Sequence, residues 1–177
     1  MNIRIGFSVV FALLIAVLIW CAIKSFRSHK KIGMSVGQLN LSLIPPMIGN
    51  LMIIVSDARN VSIAGYYIYF LGMDLIMLTL GRFAWEYCRG IFKGRSQPII
   101  MYILPALDAV QLLLNPFFGH AFDVELIEVQ NAPYYRLLPF WGQNIHSIVD
   151  YAIFISVIFF FLSLLCVLQR STVSAFL

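Results

Sequence analysis

The chain has 177 residues, 61% of them hydrophobic and 11% charged, with a mean hydropathy of +0.90. That balance excludes a water-soluble domain of this size. The formal net charge of +4 reflects where a few basic residues fall along a membrane topology, so it calls for no nucleic-acid partner. Five long apolar runs, at residues 5–23, 39–56, 61–80, 98–114 and 145–168, follow one another between short polar breaks. Each supplies the ~20 apolar residues that cross a ~30 Å hydrocarbon core as helix. No strand-length alternation repeats to close a barrel, so helix is the spanning form. The expectation is an all-α membrane protein, a single domain over residues 1–177 built as a bundle of about five transmembrane helices.

The first run is followed by Lys24, Arg27, Lys30 and Lys31, and the third by Arg82, Arg89, Lys93 and Arg95; Arg170 follows the fifth. The opposite side carries only Arg4, Arg59 and Arg136, a ratio of nine to three. Excess Lys and Arg mark the cytoplasmic side, which puts the N-terminus outside. A cleaved signal peptide is the weaker reading of the first run, because no small-residue cleavage site precedes the basic cluster. Cys21, Cys88 and Cys166 are placed for neither an external disulfide nor a metal motif, and read as small packing residues.

In the second run Pro45 and Pro46 remove backbone donors and should bend the helix, as Pro105 should in the fourth. Past Leu80 the third run continues as GRFAWEYCRGIFKGR, whose Trp85 and Tyr87 suit an interfacial anchor and whose helix should protrude beyond the membrane. The long connection, residues 115–144, contains FDVELIEVQ, the turn signal Asn131-Ala132-Pro133, and YYRLLP. Phe122, Val124 and Leu126 alternate with Asp123 and Glu125 before the register slips at Ile127. This predicts a short extracytoplasmic β-hairpin between helices 4 and 5. A bare hairpin is marginal in water, so it should lie on the bundle, as a lid or as a membrane-interface belt, with the lid preferred.

Polar groups inside spans cost free energy, on the order of 2.5–3.5 kcal/mol for an unpaired charged Asp at a helix centre. Asp74, Asp108 and Asp150 have no Lys or Arg within their spans, so each must be protonated, hydrogen-bonded or facing water. At 1.5 Å per residue, Asn50 lies ~9 Å below Ser56, Asp108 ~10 Å below Asn115, and Asp150 ~10 Å below Gln143. Asp108, Gln111 and Asn115 form one helical stripe, Gln143, Ser147 and Asp150 another, and His146 is four residues before Asp150. Asn50, Asp108, Gln111, Asn115, His146 and Asp150 are therefore the ligand-pocket candidates, opening outward beneath the long loop. Asp74, ~18 Å in from Ser62, reads as a latch or packing group. The alternative is interhelical glue worth about 0.6 kcal/mol per contact, which is the preferred reading for Asn50 alone.

No Gly-rich phosphate loop, HExxH or GxSxG is present, so neither catalysis nor a cofactor is expected. The stretches GQLNLSLIPPMIGNLMIIVS, YYIYFLGMDLIMLTLGRFAWEYC, YILPALDAVQLLLNPFFG and FWGQNIHSIVDYAIFI together resemble the N-terminal seven-helix sensor region of bacterial histidine kinases. The same region precedes diguanylate cyclase and phosphodiesterase output domains. The resemblance implies a multi-pass sensor of the bacterial cytoplasmic membrane, truncated here to about five helices. It also implies lipids and an extracytoplasmic or membrane-borne ligand as partners, and a homodimer formed through the C-terminal part absent from this chain. A small transporter or channel-like protein and a membrane scaffold are the competing readings.

Overall fold

The computed structural model describes residues 3–28, 30–88, 99–129 and 132–175. In chain order the elements are α1 (Ile3–Phe26), α2 (Lys31–Ser42), α3 (Ile44–Val55), α4 (Arg59–Cys88), α5 (Ile100–Leu113) and α6 (Asn115–Phe118). The strands β1 (Phe122–Val129) and β2 (Ala132–Pro139) follow, and α7 (Trp141–Ala175) completes the fold. Four stretches are long and apolar enough to cross a membrane: Arg4–Phe26, Ile32–Val55, Arg59–Cys88 and Trp141–Cys166. By length and composition this is a multi-pass membrane protein. Of the fourth expected span, residues 98–114, the described part is the apolar helix α5. α5 has 14 residues, ~21 Å of helix, which falls short of a ~30 Å core. Pro98, where that span was expected to begin, lies outside the described residues.

The second spanning stretch starts earlier than hydropathy indicates. α2 carries Ser35, Gly37 and Ser42 on its buried face, so small and polar residues lower the apolar signal of a helix that is nonetheless packed. Ser42 Oγ lies 2.7 Å from Thr79 Oγ1 of α4, and Ser35 Oγ donates to Glu86 Oε2 at 2.5 Å. The Pro45-Pro46 pair falls in the middle of the second spanning stretch, which is interrupted at Leu43 between α2 and α3. It occupies the first turn of α3, where a missing N–H costs nothing, and α2 stops just before it.

α4 is the hub, packing on α2, α3, α5 and α7 and reaching β1. Its approach to α3 depends on glycine: a methyl on Gly49 would lie 2.5 Å from the Gly65 carbonyl oxygen, and one on Gly65 2.9 Å from the Gly49 carbonyl oxygen. Backbones in lipid associate through close packing where small residues permit it. α4 continues past Leu80 to Cys88, as its sequence implied; Arg89, Lys93 and Arg95 lie outside the described residues.

The hairpin forms as an antiparallel pair in which Phe122 faces Pro139 and Val129 faces Ala132; Gln130 and Asn131 are outside the described residues. Alternation holds only at its base. Phe122 and Val124 are buried, whereas Leu126 and Val129 are exposed because the tip extends past the bundle. The base joins Ile53, Tyr66, Phe70, Leu112 and Ala121 in one core, so a buried apolar cluster sits under the hairpin. Tyr66 Oη donates to the Tyr135 carbonyl oxygen at 3.0 Å. Arg59 pairs with Asp123 at 2.6 Å, Arg4 with Asp57 and the Pro133 carbonyl, and Arg136 with Glu125 across the strands.

Candidate functional site

Asn115 shows how the chain folds back over the site. α5 ends at Leu113, so Asn115 leaves the stripe of Asp108 and Gln111 and starts α6 instead. Its Oδ1 accepts from Ala121 N at 2.7 Å and Phe122 N at 3.3 Å, and its Nδ2 donates to Phe122 O at 2.8 Å and Tyr67 Oη at 3.1 Å. Three of these four bonds bracket the turn before β1, and the fourth ties it to α4. Between them Gly119 takes φ +59°, a left-handed geometry that suits glycine and ends α6. The neck of the hairpin closes with Phe140 N to Ala121 O at 2.9 Å and Gly142 N to His120 O at 3.0 Å.

Beneath this neck four ionisable side chains from three helices meet. α4 supplies Asp74, α5 Asp108, and α7 His146 and Asp150, which are one turn apart. His146 Nδ1 lies 2.5 Å from Asp108 Oδ2 and 3.8 Å from Asp74 Oδ1, while His146 Nε2 is 3.5 Å from Asp150 Oδ2. Asp108 Oδ1 accepts from Gln111 Nε2 at 3.0 Å; the same amide nitrogen reaches the Gly142 carbonyl at 3.1 Å. His120 Nε2 lies 3.1 Å from Gln111 Oε1, extending the network toward the hairpin. The side chains of Asp74, Asp108 and His146 are 6%, 0% and 4% exposed, so the group is shut in protein. Among the described residues no donor meets either carboxylate oxygen of Asp74 or Asp150 Oδ1, and the Asp74 carboxyl stands beside that of Asp108. A buried acid left in that state is costly unless a proton or a cation compensates it.

The structure thus brings Asp108, Gln111, His146 and Asp150 into one contact network. Asn115 borders it in a bracing role. Asn50 is half-buried on α3 beside the Gly49–Gly65 crossing and takes no part in the cluster's hydrogen bonds or ion pairs. Asp74, expected apart from the rest near the midplane, joins the cluster. A depth of ~18 Å from Ser62 assumes that α4 begins at the membrane surface there. In fact residues 59–70 pack beneath the hairpin, through Arg59 with Asp123, Tyr66 with Tyr135 and Phe70 with Phe122. Asp74 is one turn below that level.

Two participants carried no signal of their own. Phe70 is one aromatic among many, and His120 follows an unremarked helix end. Phe70 meets His146 edge-on with ring centroids 5.1 Å apart, and His120 lies 5.0 Å from the Trp141 ring. A cleft of about 250 Å³ between α4 and α7 reaches the group, lined by Tyr69, Met73 and Met77 on one side and Gln143, His146, Ser147 and Asp150 on the other. A shallower cleft of about 360 Å³ follows the hairpin edge past Arg59, Tyr67 and Asp123. Chemically, the cluster can exchange protons or hold a cation: three carboxylates and an imidazole converge, and no Lys or Arg forms an ion pair with them among the described residues. Comparison of the chain with protein-family models, with curated proteins and with solved structures finds no match.

Proposed function

We propose that this chain is the transmembrane stimulus-sensing input domain of a bacterial signalling protein of the histidine kinase or cyclic-di-GMP-metabolising type. The observation that carries the reading is the enclosed Asp74–Asp108–His146–Asp150 group, roofed by a hairpin whose base shares a packed core with the helices around it. A stimulus that changes the charge or hydration of this group changes how α4, α5 and α7 pack, because each helix contributes at least one member. Such a change is a conformational signal only if the stimulus interacts differently with two arrangements, and uncompensated buried carboxylates supply that difference.

In this reading the hairpin end is extracytoplasmic and the membrane is the bacterial cytoplasmic membrane. Arg4, Arg59 and Arg136, the three basic residues assigned outside, all gather at the hairpin end and each meets a carboxylate. Nine of the twelve Lys and Arg belong to the other side by sequence. In this reading signalling proceeds through an output domain C-terminal to residue 177, within a homodimer formed by that C-terminal part. The coding sequence beyond Leu177 tests the proposal directly. Two further apolar spans and a kinase or cyclase domain are expected; a stop codon immediately after Leu177 would sink it.

A small transporter is the second reading, favoured by polar side chains recurring down α4. Below Asp74 come Thr79, paired with Ser42, and Glu86, paired with Ser35. Solute-dependent proton flux in vesicles containing only this chain would favour that reading over sensing.

A further inference from the structure

The unpartnered acid is the most demanding feature of the site. Asp108 has Gln111 on one oxygen and His146 on the other, and His146 has Asp150 beyond its second nitrogen. Among the described residues Asp74 meets no hydrogen-bond donor on either oxygen, although it is 5% exposed; its polar neighbours are the carboxyl group of Asp108 and His146 Nδ1, 3.8 Å from one oxygen. One donor atom from each of Asp74, Asp108 and His146 lies within 4.8 Å of the other two. Ligands held at about 2.0–2.2 Å from a common ion stand ~3–4 Å apart, so side-chain rotations of under about 1 Å complete such a set.

We propose that Asp74, Asp108 and His146 form a binding site for one divalent first-row transition-metal cation, with Asp150 and Gln111 as the groups that orient the ligands. As the stimulus of the sensor, the ion rests on the proposed function; as a ligand of the protein, it stands on this geometry. Charge favours it. Two ionised aspartates and a neutral imidazole carry −2, which the ion neutralises, leaving the Asp150 carboxylate to face the imidazole N–H; no Lys or Arg forms an ion pair with the group among the described residues. The imidazole favours zinc, iron or nickel over calcium or magnesium, which select all-oxygen sets and, for magnesium, retained waters. Metal-bound histidines characteristically turn their second nitrogen to a carboxylate, and Asp150 Oδ2 occupies that place, 3.5 Å from Nε2. Gln111 fixes Asp108 in the same way through its second oxygen. The ion displaces the proton held between His146 Nδ1 and Asp108 Oδ2, and these atoms part from 2.5 Å to about 3 Å. The α4–α7 cleft gives entry, since His146 and Asp150 line it.

The test uses the full chain without an affinity tag, purified in detergent, stripped with chelator and titrated with Co²⁺ and Zn²⁺. One equivalent of Co²⁺ should give the visible d–d absorption of a low-coordinate N/O site, and Zn²⁺ should displace it. Saturating Zn²⁺ should raise Tm by mass action. Asp74→Asn and His146→Gln should each weaken Co²⁺ binding by at least 100-fold and abolish the Zn²⁺-dependent Tm rise. Asp150→Asn, acting through His146, should weaken it roughly 10-fold. Glu128→Gln, at an exposed hairpin carboxylate, should bind as the parent does. The parent protein decides the matter even if a variant fails to fold. No stoichiometric binding by the parent, or equal binding by all four variants, overturns the site. Because no output domain enters the measurement, that result removes the metal and leaves the sensor reading to its own test.

Discussion

Phe70 meets His146 edge-on, with ring centroids 5.1 Å apart, and the same Phe70 ring lies 5.3 Å from Phe122 at the base of the hairpin. One side chain therefore forms part of the roof's footing and part of the wall of the ionisable group. Phe70→Ala should cost about 3–5 kcal/mol, the range for emptying a packed aromatic site, and Phe70→Leu distinctly less. Thermal unfolding of the detergent-solubilised variants measures both. In a protein with its output domain restored, Phe70→Leu should also shift the stimulus response, because the roof and His146 lose their shared contact.

Asn115 should prove more important to the hairpin than to any ligand. Asn115→Leu strands Ala121 N and Phe122 O in a buried position, and at about 1–3 kcal/mol for each unsatisfied group the loss should be several kcal/mol. Asn115→Asp keeps the acceptor and loses the donor, so it should fall between the two. Limited proteolysis within residues 122–139 is the readout: cleavage should accelerate in the order parent, Asp, Leu.

The α3–α4 crossing should tolerate no methyl group. Gly49→Ala and Gly65→Ala each push a carbon against a facing carbonyl oxygen, and should cost about 1–3 kcal/mol of stability. Gly119→Ala meets open space, yet its φ of +59° should still cost about 1 kcal/mol. Equal Tm for Gly49→Ala and the parent would mean that the helices do not approach as closely as described.

Replacement of Asp108 separates a working site from packing glue. Asp108→Asn keeps the size and hydrogen-bonding capacity opposite Gln111 and His146, so abundance in the membrane should be unchanged while the response is lost. Asp108→Leu should reduce both, since the partners of both carboxylate oxygens are left without it. A Leu variant as stable as the parent and fully responsive would show that the carboxylate only fills space.

The orientation has its own check. A reporter fused after Arg170 should be active only in the cytoplasm, and one inserted at Asn131 only outside, following the nine-to-three basic bias. The reverse pattern at both positions would invert the site as well as the chain.

Hydropathy made most of the helical frame legible, because a spanning helix must be apolar over its whole length. It missed the first turns of α2, where Ser35 and Gly37 face a partner helix and not lipid. The hairpin's base was legible in the alternation of Phe122 and Val124, since only there does one face meet the bundle. The acids of α5 and α7 could be matched by counting from a neighbouring loop. Asp74 could not, because the sequence gives no sign that three turns of α4 stand under the hairpin. Asn115 failed for a related reason: a stripe drawn on an ideal helix assumes that the helix continues, and α5 stops two residues earlier.

Gly142 fixes one end of α7. A side chain there would collide with His120 and Gln111, so the helix starts jammed against the neck of the hairpin. From this point Asp150 lies ~12 Å along the helix and Ala175 ~50 Å, at 1.5 Å per residue. A rigid rod held at Gly142 acts as a lever with a gain of about four. An ångström of sideways movement at Asp150, such as the gain or loss of one charge among its neighbours could cause, becomes about 4 Å at the far end of α7.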